Sequence, residues 1–224
     1  NNIMELLDKK GRTEAEFLAS YDKDRYEKPS VAADIVVFST VRATDKSESY
    51  QVLLVRRGGH PFLGQYALPG GFVEPDETVE DAVSRELQEE TGVTTGKGYR
   101  KVTPQLLNVY SKPDRDPRMR VMSLAYVAVV NAAEVKVKAG DDAAEAGWFR
   151  INMTRTAINR ESGVITYHLE LTRKDICLSA NLDYRRWYGV LTDNEEWTLH
   201  DSEGLAFDHA KIIAEAFKKW QRMT

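Results

Sequence analysis

Residues 78–92, TVEDAVSRELQEETG, admit one regular structure, and that structure is electrostatically awkward. Thr78 with Asp81 three residues on resembles a capping box, and Gly92 suits a left-handed C-terminal cap, so the spacing predicts a helix between them. On a period of 3.6 residues, Val79, Ala82, Val83 and Leu87 share one face, and Glu86 and Glu90 fall inside it, with Glu89 beside them. Burying carboxylates without partners costs roughly several kcal/mol. A hard divalent cation at the core's edge removes the objection, because glutamates at i, i+3 and i+4 can converge their oxygens on one site. Arg85 lies outside the apolar arc, where it can pair with a neighbouring acid and hold it in place. The preceding Gly70 and Gly71 let the backbone come close to a metal or a phosphate.

The flanking pattern is that of a sheet. VAADIVVFSTV (31–41) and YQVLLVRR (50–57) read as a hairpin-linked strand pair, and GGHPFLGQYALPGG (58–71) reads as loop. QLLNVYS (105–111) and RVMSLAYVAVV (120–130) read as strands, the second a central one, joined by the charged loop KPDRDPR. EVKVKAG and GWFRI suggest short further strands. Residues 163–199 favour additional β structure, and Ala206, Ala210, Ile213, Phe217 and Trp220 mark a terminal amphipathic helix. Residues 1–30 are read as a helical N-terminal extension, and 31–224 as one domain with a β-rich insertion at 151–205 and a closing helix at 206–223. The formal charge of −4 argues against broad nucleic-acid binding. The single cysteine, Cys177, excludes an intramolecular disulfide and disfavours thiol zinc sites, which fits a reducing cytoplasm. No apolar run is long enough for a membrane span.

Gly71 to Val93, GFVEPDETVEDAVSRELQEETGV, resembles the Nudix box: Gly71, Glu77, Arg85, Glu86, Leu87, Glu89, Glu90, Gly92 and Val93 fill its specified positions. SVAADIVVF, RRGGHPFLGQYALPGGFV, PQLLNVYSKPDRDPR and DDAAEAGWF are similar to the ADP-ribose pyrophosphatase-like branch of that family, as is LAFDHAKII near the end. The resemblance implies an α+β Nudix fold, a mixed sheet sandwiched between helices, and hydrolysis of a nucleoside diphosphate linked to another moiety. ADP-ribose, cleaved to AMP and ribose 5-phosphate, is the expected substrate. It implies Mg²⁺ or Mn²⁺ held by Glu86, Glu89 and Glu90 with Gly70, and Glu77 supporting them from behind. Arg85 and Glu86 are catalytic candidates. The general base is left open between a box glutamate such as Glu86 and an acid on another loop, Glu145, with Asp141 and Asp142 nearby. Asp34, Arg56, Arg57, Gln105, Asp114, Arg115, Asp116 and Arg118 are candidates on the substrate side. Arg115 and Arg118 could clamp phosphate or stack on adenine, or KPDRDPR could be a salt-bridged loop. His60 lies in the loop entering the site, whereas His168, His200 and His209 are read as surface or structural. A homodimer is expected by the same resemblance. The alternative function is an ADP-ribose-sensing transcriptional regulator, since the branch includes proteins that join a Nudix-like domain to a winged helix-turn-helix, typically with a degraded box. Here the box is intact.

Overall fold

The computed structural model describes residues 6–42, 48–96, 102–135 and 146–223. Near-continuous apolar runs build its centre. β1 (Ser30–Arg42) runs antiparallel to β2 (Glu48–Arg56), Phe38 facing Val52 across the pair, and parallel to β6 (Val121–Val129), with Asp34 beside Ala125. The stretch 58–71, expected to be loop, contains two short strands: β3 (Tyr66–Ala67) pairs with β2, and β4 (Gly70–Phe72) pairs with β1. Strands of two or three residues carry no periodicity; their partners define them. β2 and β4 lie against opposite halves of β1, β2 from Phe38 onward and β4 over Ala32–Asp34, so the sheet opens between them.

The sheet order is β10-β9-β8-β7-β2-β1-β6-β5, with β5 at Gln105–Tyr110. The β-rich segment takes the form of an antiparallel meander, β7 (Ala146–Asn159), β8 (Val164–Arg173), β9 (Ile176–Trp187) and β10 (Asn194–Glu203), which continues the same sheet from β2. GWFRI opens β7. EVKVKAG lies almost wholly outside the described residues, and Ala132–Glu134 just before it form a 3-10 turn. Tyr184 and Trp197, aligned across β9 and β10, pack together with Tyr167 in the core; Trp187 and Tyr188 are exposed.

Two helices cover opposite faces of the sheet. α2 (Val79–Thr91) buries Ala82, Val83 and Leu87 against Ala33, Ile35, Val37 and Leu53. α3 (His209–Gln221) buries Ile212, Ile213 and Phe217 against Val36, Phe38, Val52 and Leu54 on the other side. Burial of those three α3 side chains contributes roughly 5–9 kcal/mol before ordering costs, so the C-terminal helix is part of the core rather than an appendage. α1 (Glu14–Ala19) is a single capped turn and a half with no buried residue. No described helix is long and apolar enough to cross a membrane.

Candidate active site

The start and end of α2 are fixed by local chemistry. Thr78 accepts the Asp81 N–H while the Asp81 carboxylate accepts from Thr78, and Gly92 takes the left-handed conformation at φ 71°. This registers the helix so that its glutamates face β4. Gly70 and Gly71 make that approach feasible. At Gly70, φ is +149° and a Cβ would lie 2.2 Å from the Ala33 carbonyl oxygen. At Gly71 a Cβ would lie 2.2 Å from Glu86 Oε1. The glycines leave a cradle that the Glu86 carboxylate fills.

Arg85 organises the acids. Its Nη2 and Nε donate to the two oxygens of Glu77 at 2.7 and 3.1 Å, its Nη1 donates to Glu86 Oε1 at 2.6 Å, and Nη2 also reaches the Phe72 carbonyl at 3.3 Å. The guanidinium holds the Glu77 carboxyl below its ordinary pKa, aided by the Glu74 N–H. Glu89 is 3.8 Å from Arg85 and largely exposed. Glu90 is the outlier. Burial first, then the charge of Glu86, push its pKa up to about 7, although a Gly70 backbone hydrogen bond works against them. Its Oε2 is buried with no hydrogen-bond partner. Among the described residues no three acidic, histidine or cysteine side chains already converge as a ready-made ligand cage. What the helix offers is an all-oxygen donor set around one unsatisfied buried oxygen, and this suits Mg²⁺ or Mn²⁺.

Beside β4 lies a cleft of about 190 Å³, lined by Asp34, Arg57, Gly70, Gly71, Phe72, Arg115, Arg118, Phe207 and His209 among others. Of the substrate-side candidates, Asp34, Arg57, Arg115, Asp116 and Arg118 meet here. Arg115 is only 4% exposed and donates twice to Asp208, at 2.7 and 3.1 Å, with Asp34 3.6 Å away. It ties the β5–β6 loop to the start of α3, so its fork is already filled. Arg118 is 40% exposed and is held by Asp116 at 2.8 and 3.1 Å. Arg57 donates to the Pro61 carbonyl at 2.7 Å, and its pKa is lowered by burial and by the nearby Arg118. Two mutually repelling guanidiniums at one mouth suit an anion.

Other candidates lie elsewhere. Arg56 is exposed and donates to the Gly64 carbonyl. Asp114 pairs with Lys112 on the surface. Gln105 is exposed on the edge strand, lining a separate groove with Val93, Leu106 and Trp220. These three similarities in sequence do not bring their side chains to the cleft. His60 is exposed and is not part of the cleft lining. Glu145, Asp141 and Asp142 lie outside the described residues. Sequence reasoning passed over Phe72 and Phe207, and it gave His209 no place at the site. His209 is buried; its Nδ1 accepts the Leu68 N–H at 2.9 Å and its Nε2 faces Asp34 at 3.6 Å. A partner 141 positions away leaves no local signal.

A capped glutamate helix thus lies on a double glycine, with a cleft lined by Arg57 and Arg118 beside it. The family model described as NUDIX domain matches residues 30–168, and the chain belongs to the Nudix family. It is 43% identical over 143 residues to the ADP-ribose pyrophosphatase of Methanocaldococcus jannaschii, covering 63% of this chain and 75% of that protein. With its complete box, it is a Nudix hydrolase. It is also 34% identical over 123 residues to the ADPR responsive transcriptional repressor NtrR of Acinetobacter baylyi, covering 53% of this chain but 44% of the repressor. Among solved structures, a MutT/nudix family protein from Enterococcus faecalis superposes with a TM-score of 0.64 at 33% identity, over 93% of this chain and 69% of that one. That overlap extends well past the family match, into the meander and beyond.

Proposed function

We propose that the protein hydrolyses the pyrophosphate bond of ADP-ribose, giving AMP and ribose 5-phosphate, with Mg²⁺ or Mn²⁺ bound at α2. The observation that carries the reading is Glu90 Oε2, a buried carboxylate oxygen with no partner, facing the glycine strand from within a complete Nudix box. Glu86, Glu89 and Glu90, with the Gly70 backbone, would hold the ion; Glu89, the most exposed of the three, is the ligand with most room to adjust. A divalent ion held there would supply charge neutralisation for the diphosphate and a bound water of lowered pKa. The chain's own residues do the rest. Arg85 fixes Glu86 against Gly71 and anchors it to Glu77. Arg57 attracts the substrate's phosphates to the cleft mouth. Asp34, bonded by Ser123 and flanked by Arg115 and His209, keeps the cleft floor rigid and polar. Glu86 and Glu145 are the two proposed bases, Glu145 lying outside the described residues.

The similarity to the pyrophosphatase supports the substrate. The similarity to the repressor supports a second reading, ADP-ribose sensing in gene regulation. Incubating the protein with ADP-ribose and Mg²⁺ and separating the products by chromatography distinguishes them. AMP and ribose 5-phosphate in equal amounts are expected. Tight ADP-ribose binding without turnover, together with DNA retardation that ADP-ribose reverses, would replace the first reading with the second.

A further inference from the structure

Three non-glycine residues among those described have left-handed backbones, and two of them, Phe62 (φ 62°) and Phe207 (φ 54°), touch each other. The third, Lys174, sits in the tight β8–β9 turn, where such a conformation is expected. A phenylalanine in this region is costly, and the conformation persists only where the surroundings impose it. They do so at Phe207. On one side the Ala206 N–H donates to the Tyr66 carbonyl at 2.8 Å. On the other, Asp208 is gripped by Arg115 and His209 is pinned to Leu68. The backbone is fixed before and after, and the ring is left in the wall of the cleft.

The ring stands in a particular company. Arg57 lies 4.8 Å from its centroid, and Arg118 lies 6.0 Å from it and 5.5 Å from the ring of Phe72. Phe72 is 38% exposed, and the next residues back along the chain are Gly71 and Gly70, the strand facing Glu86 and Glu90. One continuous cleft therefore joins the carboxylate helix's glycine strand to a surface of two phenyl rings and two guanidiniums. Planar π-rich heterocycles stack on its phenyl rings, whereas a ribose phosphate is drawn by the guanidiniums and gains little from the rings.

We infer that Phe207, with Phe72 and Arg118, forms the seat of the substrate's nucleobase, and that the strained backbone at Phe207 serves to hold that ring in the cleft. The inference rests on the ADP-ribose reading for the identity of the base. It adds to Phe72 and Arg118 a residue outside the segment that matches the family, so base selection does not rest on that segment alone.

The test uses the full chain with Mg²⁺, and measures AMP and ribose 5-phosphate binding by equilibrium dialysis alongside ADP-ribose kinetics. Phe207→Leu keeps apolar bulk and removes the π face. Its AMP affinity should fall about tenfold while ribose 5-phosphate binding stays as in wild type. Its KM for ADP-ribose should rise by a similar factor with kcat much less affected. Phe207→Tyr should restore both. If Phe207→Leu does not fold, the half-exposed Phe72→Leu carries the same prediction. Unchanged AMP binding in a folded variant, or equal weakening of AMP and ribose 5-phosphate, would overturn the inference. If wild type binds AMP through Phe207 yet leaves ADP-ribose intact, the base seat stands and the hydrolase reading falls.

Discussion

Gly71→Ala should separate the site's chemistry from its stability. The added Cβ would stand 2.2 Å from Glu86 Oε1 and 2.9 Å from its Cδ. Ordinary contact begins near ~3.4 Å, so the carboxylate must retreat by about 1 Å. It can do so, because the clash is with the tip of a side chain and φ at Gly71 is not left-handed. Folding therefore suffers little. Alanine reduces unfolded-chain entropy by about 0.4–1 kcal/mol, and weakening the partly exposed Arg85–Glu86 pair costs about as much, so the net change stays within about 1 kcal/mol. Catalysis should suffer far more, since a misplacement of about 1 Å at a reacting centre can cost roughly 100-fold. Urea unfolding and kcat/KM on ADP-ribose, measured on the same preparation, give the two numbers. Gly70→Ala is the control: its Cβ meets backbone, the Ala33 oxygen at 2.2 Å, and should cost about 3 kcal/mol or more in stability. A Gly71→Ala enzyme with kcat/KM within threefold of wild type would refute the claim that the glycine strand sets Glu86.

Three further expectations follow from buried charge. Arg115→Leu strips Asp208 of both guanidinium bonds and should cost about 3–5 kcal/mol by urea unfolding; a loss below about 1 kcal/mol would mean the tie between the β5–β6 loop and α3 is not a tie. His209 is held below its ordinary pKa of 6.5 by burial, against the pull of Asp34 and Asp208. The unfolded chain then binds more protons below pH 6.5, so its contribution is complete above 6.5 and shrinks as pH falls, with a slope of up to about 1.4 kcal/mol per pH unit; His209→Gln should flatten stability between pH 5 and 6.5, and an unchanged slope would show the imidazole is not responsible. Glu90→Gln removes a buried carboxylate, one oxygen of which has no partner, beside Glu86, and should be about 1–3 kcal/mol more stable than wild type in EDTA at pH 8, while inactive; a destabilised variant would mean Glu90 is already well satisfied.

What could be read in the sequence was what neighbours decide. The Thr78–Asp81 box and Gly92 delimit α2, the near-continuous apolar run in 31–41 builds a strand buried on both faces, and the box carboxylates fall where their spacing puts them. The short strands β3 and β4 were missed because two or three residues show no period and exist only by pairing with β2 and β1. The cleft was half legible. Arg118 and Arg115 were both visible as basic residues in KPDRDPR, but nothing local distinguishes the one held by its neighbour Asp116 from the one engaged by Asp208, 93 positions away. The spacing puts Phe207 inside a closing helix at 206–223, but α3 begins at His209 and Phe207 has a left-handed backbone; its place beside Phe62 and Arg57 is delivered only by the fold.

The central claim is a metal-dependent hydrolysis seated on Glu90. Its most direct test is AMP release from ADP-ribose as Mn²⁺ is titrated into EDTA-treated protein, wild type against Glu90→Gln. The account predicts saturable activation of wild type from a near-zero baseline, and no activation of the variant over the same range. Turnover that persists in excess EDTA, or a Glu90→Gln curve that overlies wild type, would contradict it.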